Sequence, residues 1–140
     1  MNKSKIIATA QKFLQKGQFS KAIKEYLKIV AEDSNDIRTW LKIADLYSKS
    51  GDLVNATETY RKVADYYAKQ GFYLKAVAVN KQILKIDPNL VDVHIELANL
   101  YKQLGLLGDA IAQYQSVIAQ LEYQGRRVDS IEVFRKMLEL

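Results

Sequence analysis

Few side chains in this chain are equipped for catalysis or for holding a metal. Among its 140 residues there is one histidine, His94, and no cysteine. Without a thiol there can be no disulfide, no thiolate metal site and no cysteine nucleophile. With one imidazole there is no histidine pair for a metal, and a Ser-His-Asp set could be built only through His94. No glycine-rich phosphate loop is present. Carboxylates occur in pairs, as on any charged helix, but nothing in their spacing suits acid–base work. The expectation is a protein that is not an enzyme and carries no metal or cofactor, with His94 in a structural role.

Charge is the other source of chemistry. Lysine and arginine number 21 against 16 acids, for a net charge of +5 and a pI near 9.3. The lysines are scattered at helical surface spacings and mixed with acids, which a solvated surface explains. An acidic protein partner and nucleic acid are the alternatives. Apolar residues make up 49% and charged residues 26%, ordinary for a soluble globular protein. The N-terminus, MNKSKIIATAQKF, is basic, but its apolar run is too short for a signal-peptide core. No apolar run approaches the ~20 residues of a membrane span. The chain reads as soluble and cytoplasmic.

The elements that must position these residues are helices. Proline occurs once, at Pro88, and the glycines are Gly17, Gly51, Gly71, Gly105, Gly108 and Gly125. Without Gly108 their spacings are 34, 20, 34 and 20 residues. A fixed period marks a repeat architecture, and glycine suits the left-handed residue that ends a helix. Apolar periodicity predicts helices over 3–16, 19–32, 37–50, 53–70, 73–86, 90–104 and 107–124, and an eighth after Gly125. Asp33-Ser34-Asn35-Asp36 is a polar turn with N-cap chemistry, and Asp87-Pro88-Asn89 is a stop signal. The larger unit is 54 residues and three helices long. It places Trp40 on His94, Ala44 on Ala98, Tyr47 on Tyr101, Ala56 on Ala110 and Tyr60 on Tyr114. The match ends at Leu140, opposite Ile86, as expected of a segment of a longer repeat protein or of an unpaired end.

Small residues recur where helices must touch: Ala22, Ala44, Ala56, Ala64, Ala76, Ala98 and Ala110. They let helix axes approach while neighbouring aromatics fill the gaps. Core packing is the expected role of the named aromatics, with Tyr66, off the stripe, expected to be exposed. The eighth helix carries Val128, Ile131, Phe134, Met137 and Leu138, one face expected to pack on the seventh helix and the other to stay open.

The segment Trp40-x-x-Ile43-Ala44-x-x-Tyr47, Gly51, Ala56-x-x-x-Tyr60 resembles the tetratricopeptide repeat (TPR), as does His94 to Tyr114. Tyr60 to Pro88 is similar, although Asn80 stands where an aromatic is usual. Ile6 to Tyr26 is weaker, with Thr9 and Ser34 off pattern. The likeness has a bacterial look and covers essentially the whole chain. It implies one all-α domain over 1–140, a TPR-like right-handed helical-repeat solenoid of about eight antiparallel helices. The 20-residue step departs from tandem repeats, since helices 53–70 and 107–124 each serve two units.

The resemblance implies a protein-interaction scaffold or adaptor, whose first helices line a concave groove for an extended or helical segment. By position that groove draws on Gln11, Gln15, Arg38, Lys42, Asp45, Lys49, Glu96, Asn99, Lys102 and Gln103, joined by Arg61, Asp65 and Lys69 from the double-duty helix. Its partly basic character suits an acidic or amphipathic segment of another protein. The chaperone-tail clamp of some family members does not carry over, because Leu41 and Ile95 stand where a lysine is needed. Two other readings remain: a basic repeat associating with nucleic acid, and a structural module that forms homo-oligomers through its C-terminal helix.

Overall fold

A helix ends cleanly when one residue turns left-handed, which glycine does at little steric cost. In the computed structural model, which describes residues 1–140, Gly17, Gly51, Gly71, Gly105 and Gly125 have φ between 71° and 85°. At the first of them, the Gly17 N–H donates to the Leu14 carbonyl at 3.0 Å and the Gln18 N–H to that of Phe13 at 2.9 Å. The same two bonds recur at the other four. This closure satisfies carbonyls that the helix end would otherwise leave orphaned. Gly108 lacks a positive φ and lies inside a helix.

The resulting elements are α1 (Lys3–Gln15), α2 (Phe19–Glu32), α3 (Ile37–Lys49), α4 (Leu53–Lys69), α5 (Tyr73–Ile86), α6 (Val91–Gln103), α7 (Leu107–Tyr123) and α8 (Arg127–Leu138). Their ends lie within one residue of the expected bounds wherever both were expected. Asn2 opens α1, its side chain accepting from the Lys5 N–H at 3.1 Å. Asp36 does the same for α3, accepting from Thr39 at 3.2 Å, and Asp52 accepts from Asn55 at 3.2 Å as α4 begins. No helix is long and apolar enough to cross a membrane.

The chain divides into two compact units, Met1–Val63 and Ala64–Leu140. In the first, α2 packs against both α1 and α3. Ala10, Ala22, Ile23, Tyr26, Ile29, Val30, Ile43 and Leu46 form its core, flanked by Phe13, Trp40 and Tyr47. In the second, α6 packs against α5 and α7, and α7 against α8. Ala98, Tyr114, Val117, Leu121 and Val133 cluster there. All seven alanines expected at helix contacts are buried. They are small enough for the helix backbones to approach, so a bulky substitute would overpack the contact.

Tyr66 sits elsewhere than expected. It is half-buried, with its ring edge-on to Tyr67 at 6.2 Å between centroids. Asn80, at an aromatic position, is buried and its Nδ2 has no partner. Leu53 and Leu107, at the starts of α4 and α7, are exposed. On α8 the packing residues are Val133 and Met137, together with buried Ser130, while Val128, Ile131, Phe134 and Leu138 are exposed. As expected, one face of the helix packs on α7 and the other is exposed; Val133, on the packed face, was not among the residues read as the stripe.

Candidate partner-binding faces

Residues 38, 42, 45 and 49 are spaced to fall on one face of α3. Arg38, Lys42 and Lys49 are exposed there, while Asp45 is half-buried. The Asp45 carboxylate accepts a hydrogen bond from the hydroxyl of Tyr60 on α4. Burial, reinforced by that bond and by the Asp45 charge, pushes the Tyr60 hydroxyl far above the usual tyrosine range. Asp45 is therefore tied up in packing, and what α3 offers outward is cationic. Gln11 and Gln15 of α1 are exposed, and Arg61 of α4 is half-buried.

The second unit carries the other expected residues with a different charge. Glu96, Asn99 and Gln103 of α6 occupy the spacing of Lys42, Asp45 and Lys49, and Lys102 adjoins them. Asn99 accepts from the Tyr114 hydroxyl at 3.3 Å. Asn99, Lys102 and Gln103 are exposed, as are Asp65 and Lys69 of α4, whereas Glu96 is half-buried. Burial and the nearby Asp65 charge raise the Glu96 carboxyl above its ordinary value. The positive character of α3 is thus not repeated on α6, where a glutamate replaces a lysine.

His94 belongs to the framework. Its Nε2 lies 2.8 Å from the Pro88 carbonyl oxygen and its Nδ1 2.7 Å from the end of the Gln113 side-chain amide. A carbonyl oxygen can only accept, so Nε2 carries the hydrogen. Fifty-four residues earlier, the Trp40 indole N–H donates to the Ser34 carbonyl at 2.9 Å. Its ring face lies under the Lys62 ammonium, 4.0 Å from the centroid. In the same register, Asp33 and Asp87 each accept from the backbone N–H two residues on, at 3.2 and 3.0 Å. No group of three His, Cys, Asp or Glu side chains is gathered as a metal site would need.

Two surface clefts were not foreseen from sequence. One, in the first unit, is lined by Ser20, Ile23, Lys24, Leu27, Tyr47, Ser50 and Asp52. The other, in the second, is apolar and lined by Phe72, Leu74, Lys75 and Leu104 among others. Phe72 rests edge-on against Tyr67 at 6.4 Å, and the Lys75 ammonium lies over both rings. The visible signal was Phe72 directly after a helix-ending glycine, where an apolar residue often packs back on the last turn.

Residues 37–70 match the family model described as "Tetratricopeptide repeat". No curated protein matches the chain. Among solved structures, the TPR domain of Arabidopsis FLU is similar at 22% identity and a TM-score of 0.52, over 85% of this chain and 93% of that one. MamA is similar at 22% identity and a TM-score of 0.43, over 93% and 92%. A thermophilic TPR protein of Thermus thermophilus, TTC0263, is similar at 16% identity and a TM-score of 0.39, over 97% and 90%. At these identities the likeness to FLU is one of fold.

Proposed function

We propose, from the premise that the chain carries a tetratricopeptide repeat at residues 37–70 within an all-α helical-repeat fold, that it is a non-enzymatic scaffold binding an acidic or amphipathic segment of another protein. The observation that carries this reading is the exposed cationic line Arg38, Lys42 and Lys49 on α3, whose one acid, Asp45, is engaged by Tyr60. Three like charges along one helix face form a surface that an acidic segment would neutralise. Gln11, Gln15 and Arg61 complete the site on the first unit. On the second, Asp65, Lys69, Glu96, Asn99, Lys102 and Gln103 form a more mixed surface, suited to the polar side of an amphipathic partner.

We further read the architecture as a 54-residue unit of three helices. The paired contacts Trp40–Ser34 and His94–Pro88, and Tyr60–Asp45 and Tyr114–Asn99, support it. The absence of cysteine fits a reducing, cytoplasmic setting.

The test is affinity capture from the source organism's lysate with wild type and with the variant Arg38→Glu/Lys42→Glu/Lys49→Glu, both shown equally helical by circular dichroism. A protein captured by wild type and lost by the variant is the expected result. Equal capture by both would remove α3 from the site.

A further inference from the structure

The polar residues lining the first unit's cleft include Ser20, Ser50 and Asp52. Fifty-four residues further on stand Leu74, Leu104 and Leu106. Leu74 and Leu104 line the second unit's cleft, together with Phe72, which stands where the first unit has Gln18. Each exchange puts a large apolar side chain in place of a polar one. Phe72, Leu74 and Leu106 are nonetheless 51, 69 and 42% exposed. Leu106 also forgoes a helix cap. Asp52 accepts from the Asn55 N–H at 3.2 Å as α4 begins, whereas α7 begins at Leu106 with no side-chain cap. A solvated surface gains nothing from these exchanges, whereas a docking surface does. α5 and α6 each have a helix before and after them in the chain, so this is not a terminal face.

We propose that the cleft lined by Phe72, Leu74 and Leu104 is a docking site for one large apolar side chain carried by an acidic segment of another protein. Its volume of about 290 Å³ lies just below the ~300–1,000 Å³ of small-molecule pockets, which suits a side chain rather than a cofactor. Charge complementarity makes the segment acidic. Lys75 lines the cleft, and its exposed ammonium is held by two rings rather than by a carboxylate, 5.6 Å from the Tyr67 centroid and 5.2 Å from that of Phe72. The first turn of α5 contains no acid, and no side chain caps it, so nothing in that turn offsets the positive end of the helix. The first turn of α7 does hold an acid, Asp109, which assigns the partner's carboxylate to the α5 side of the cleft. The apolar side chain rests on Phe72, Leu74 and Leu104, while a neighbouring carboxylate meets Lys75 and the N–H groups that open α5. The site does not draw on the cationic line of α3.

Fluorescence anisotropy of a labelled synthetic peptide, a tryptophan set among glutamates, tests this on the whole chain. Two control peptides replace the tryptophan by serine or the glutamates by lysine. The glutamate–tryptophan peptide should bind, and each control should bind about tenfold or more weakly. Leu74→Ser/Leu104→Ser installs the residues that the first unit carries at the same positions. That variant should keep the helical circular dichroism spectrum and lose about tenfold or more in affinity. Lys75→Glu should weaken binding of the glutamate peptide and strengthen that of the lysine peptide. Arg38→Glu/Lys42→Glu/Lys49→Glu should leave affinity within about twofold at about 0.15 M salt, where distant charges are screened. Absence of binding at about millimolar peptide overturns the proposal, as does equal binding by Leu74→Ser/Leu104→Ser. Equal binding of the lysine peptide overturns the acidic partner. A loss confined to the α3 variant overturns this site and favours the α3 face, so the two readings fail independently.

Discussion

The Tyr60 hydroxyl donates to the Asp45 carboxylate, and 54 residues further on Tyr114 donates to Asn99 at 3.3 Å. The two pairs join equivalent helices through different acceptors, a carboxylate in one and an amide in the other. Both tyrosine rings are buried, so the bond satisfies a hydroxyl otherwise removed from water.

Removing the donor should therefore matter more than changing the acceptor. Tyr60→Phe strands the half-buried Asp45 carboxylate and should destabilise the protein by about 1–2 kcal/mol. Asp45→Asn keeps an acceptor of the kind Asn99 provides and should change stability by less than about 0.5 kcal/mol. Urea melts of the two variants check the order, and a larger loss in Asp45→Asn would show that the charge matters more than the acceptor.

Alkaline pH should unfold the protein through its tyrosines. Burial raises Tyr26, burial with the Asp45 bond and charge raises Tyr60, and burial with the Glu139 charge raises Tyr114. Each stays neutral in the fold at a pH where the unfolded chain, with its ordinary value of 10.0, has begun to ionise. Their stabilising contribution is complete below about pH 10 and is lost as pH rises above it. Denaturation midpoints measured from pH 8 to 11 should fall above 10, and Tyr60→Phe should make that fall shallower.

At the acid end the sensitive group is Asp36. Burial works to raise its carboxyl, but hydrogen bonds from Lys3 and Thr39, with the Lys3 charge, outweigh this and hold it below its ordinary value. The Lys3 ammonium lies 2.7 Å away. Asp36 therefore stabilises the fold at neutral pH, and that contribution is lost as pH drops below about 3.8 and through the lowered value. Asp36→Ala, which also removes the α3 cap, should cost about 1–2 kcal/mol at pH 7. Lys3→Met should cost less than about 1 kcal/mol, since the lysine side chain is 51% exposed. Thermal melts at pH 7 and pH 3 check both, and the Asp36→Ala deficit should shrink at the lower pH.

Two glycines with equally open surroundings should respond in opposite directions. An added Cβ meets nothing within 4 Å at either Gly51 or Gly108. Gly51 has φ of 85°, so Gly51→Ala should cost about 1 kcal/mol or more in backbone strain alone. Gly108 is helical, so Gly108→Ala should stabilise by up to about 0.5 kcal/mol. Denaturation midpoints shifted in the same direction would refute the conformational account.

Glycine spacing, apolar periodicity and the buried alanines were legible in the sequence because each is a local requirement. A left-handed helix end needs glycine at that residue, and a close helix contact needs a small side chain at that turn. The eight helices, and the ends of the first seven, followed from such rules. What the sequence could not decide was which of several compatible faces each helix buries. α8 carries apolar residues on two sides, and only its packing on α7 selected Val133 and Met137 and left Ile131 and Phe134 exposed. Likewise Asp45 looked like one more surface charge on α3 until α4 brought the Tyr60 hydroxyl to it. Local patterns determine which elements form. The choice of contact face, and with it the charge each helix displays, depends on neighbours distant in sequence and was decided only by the tertiary structure.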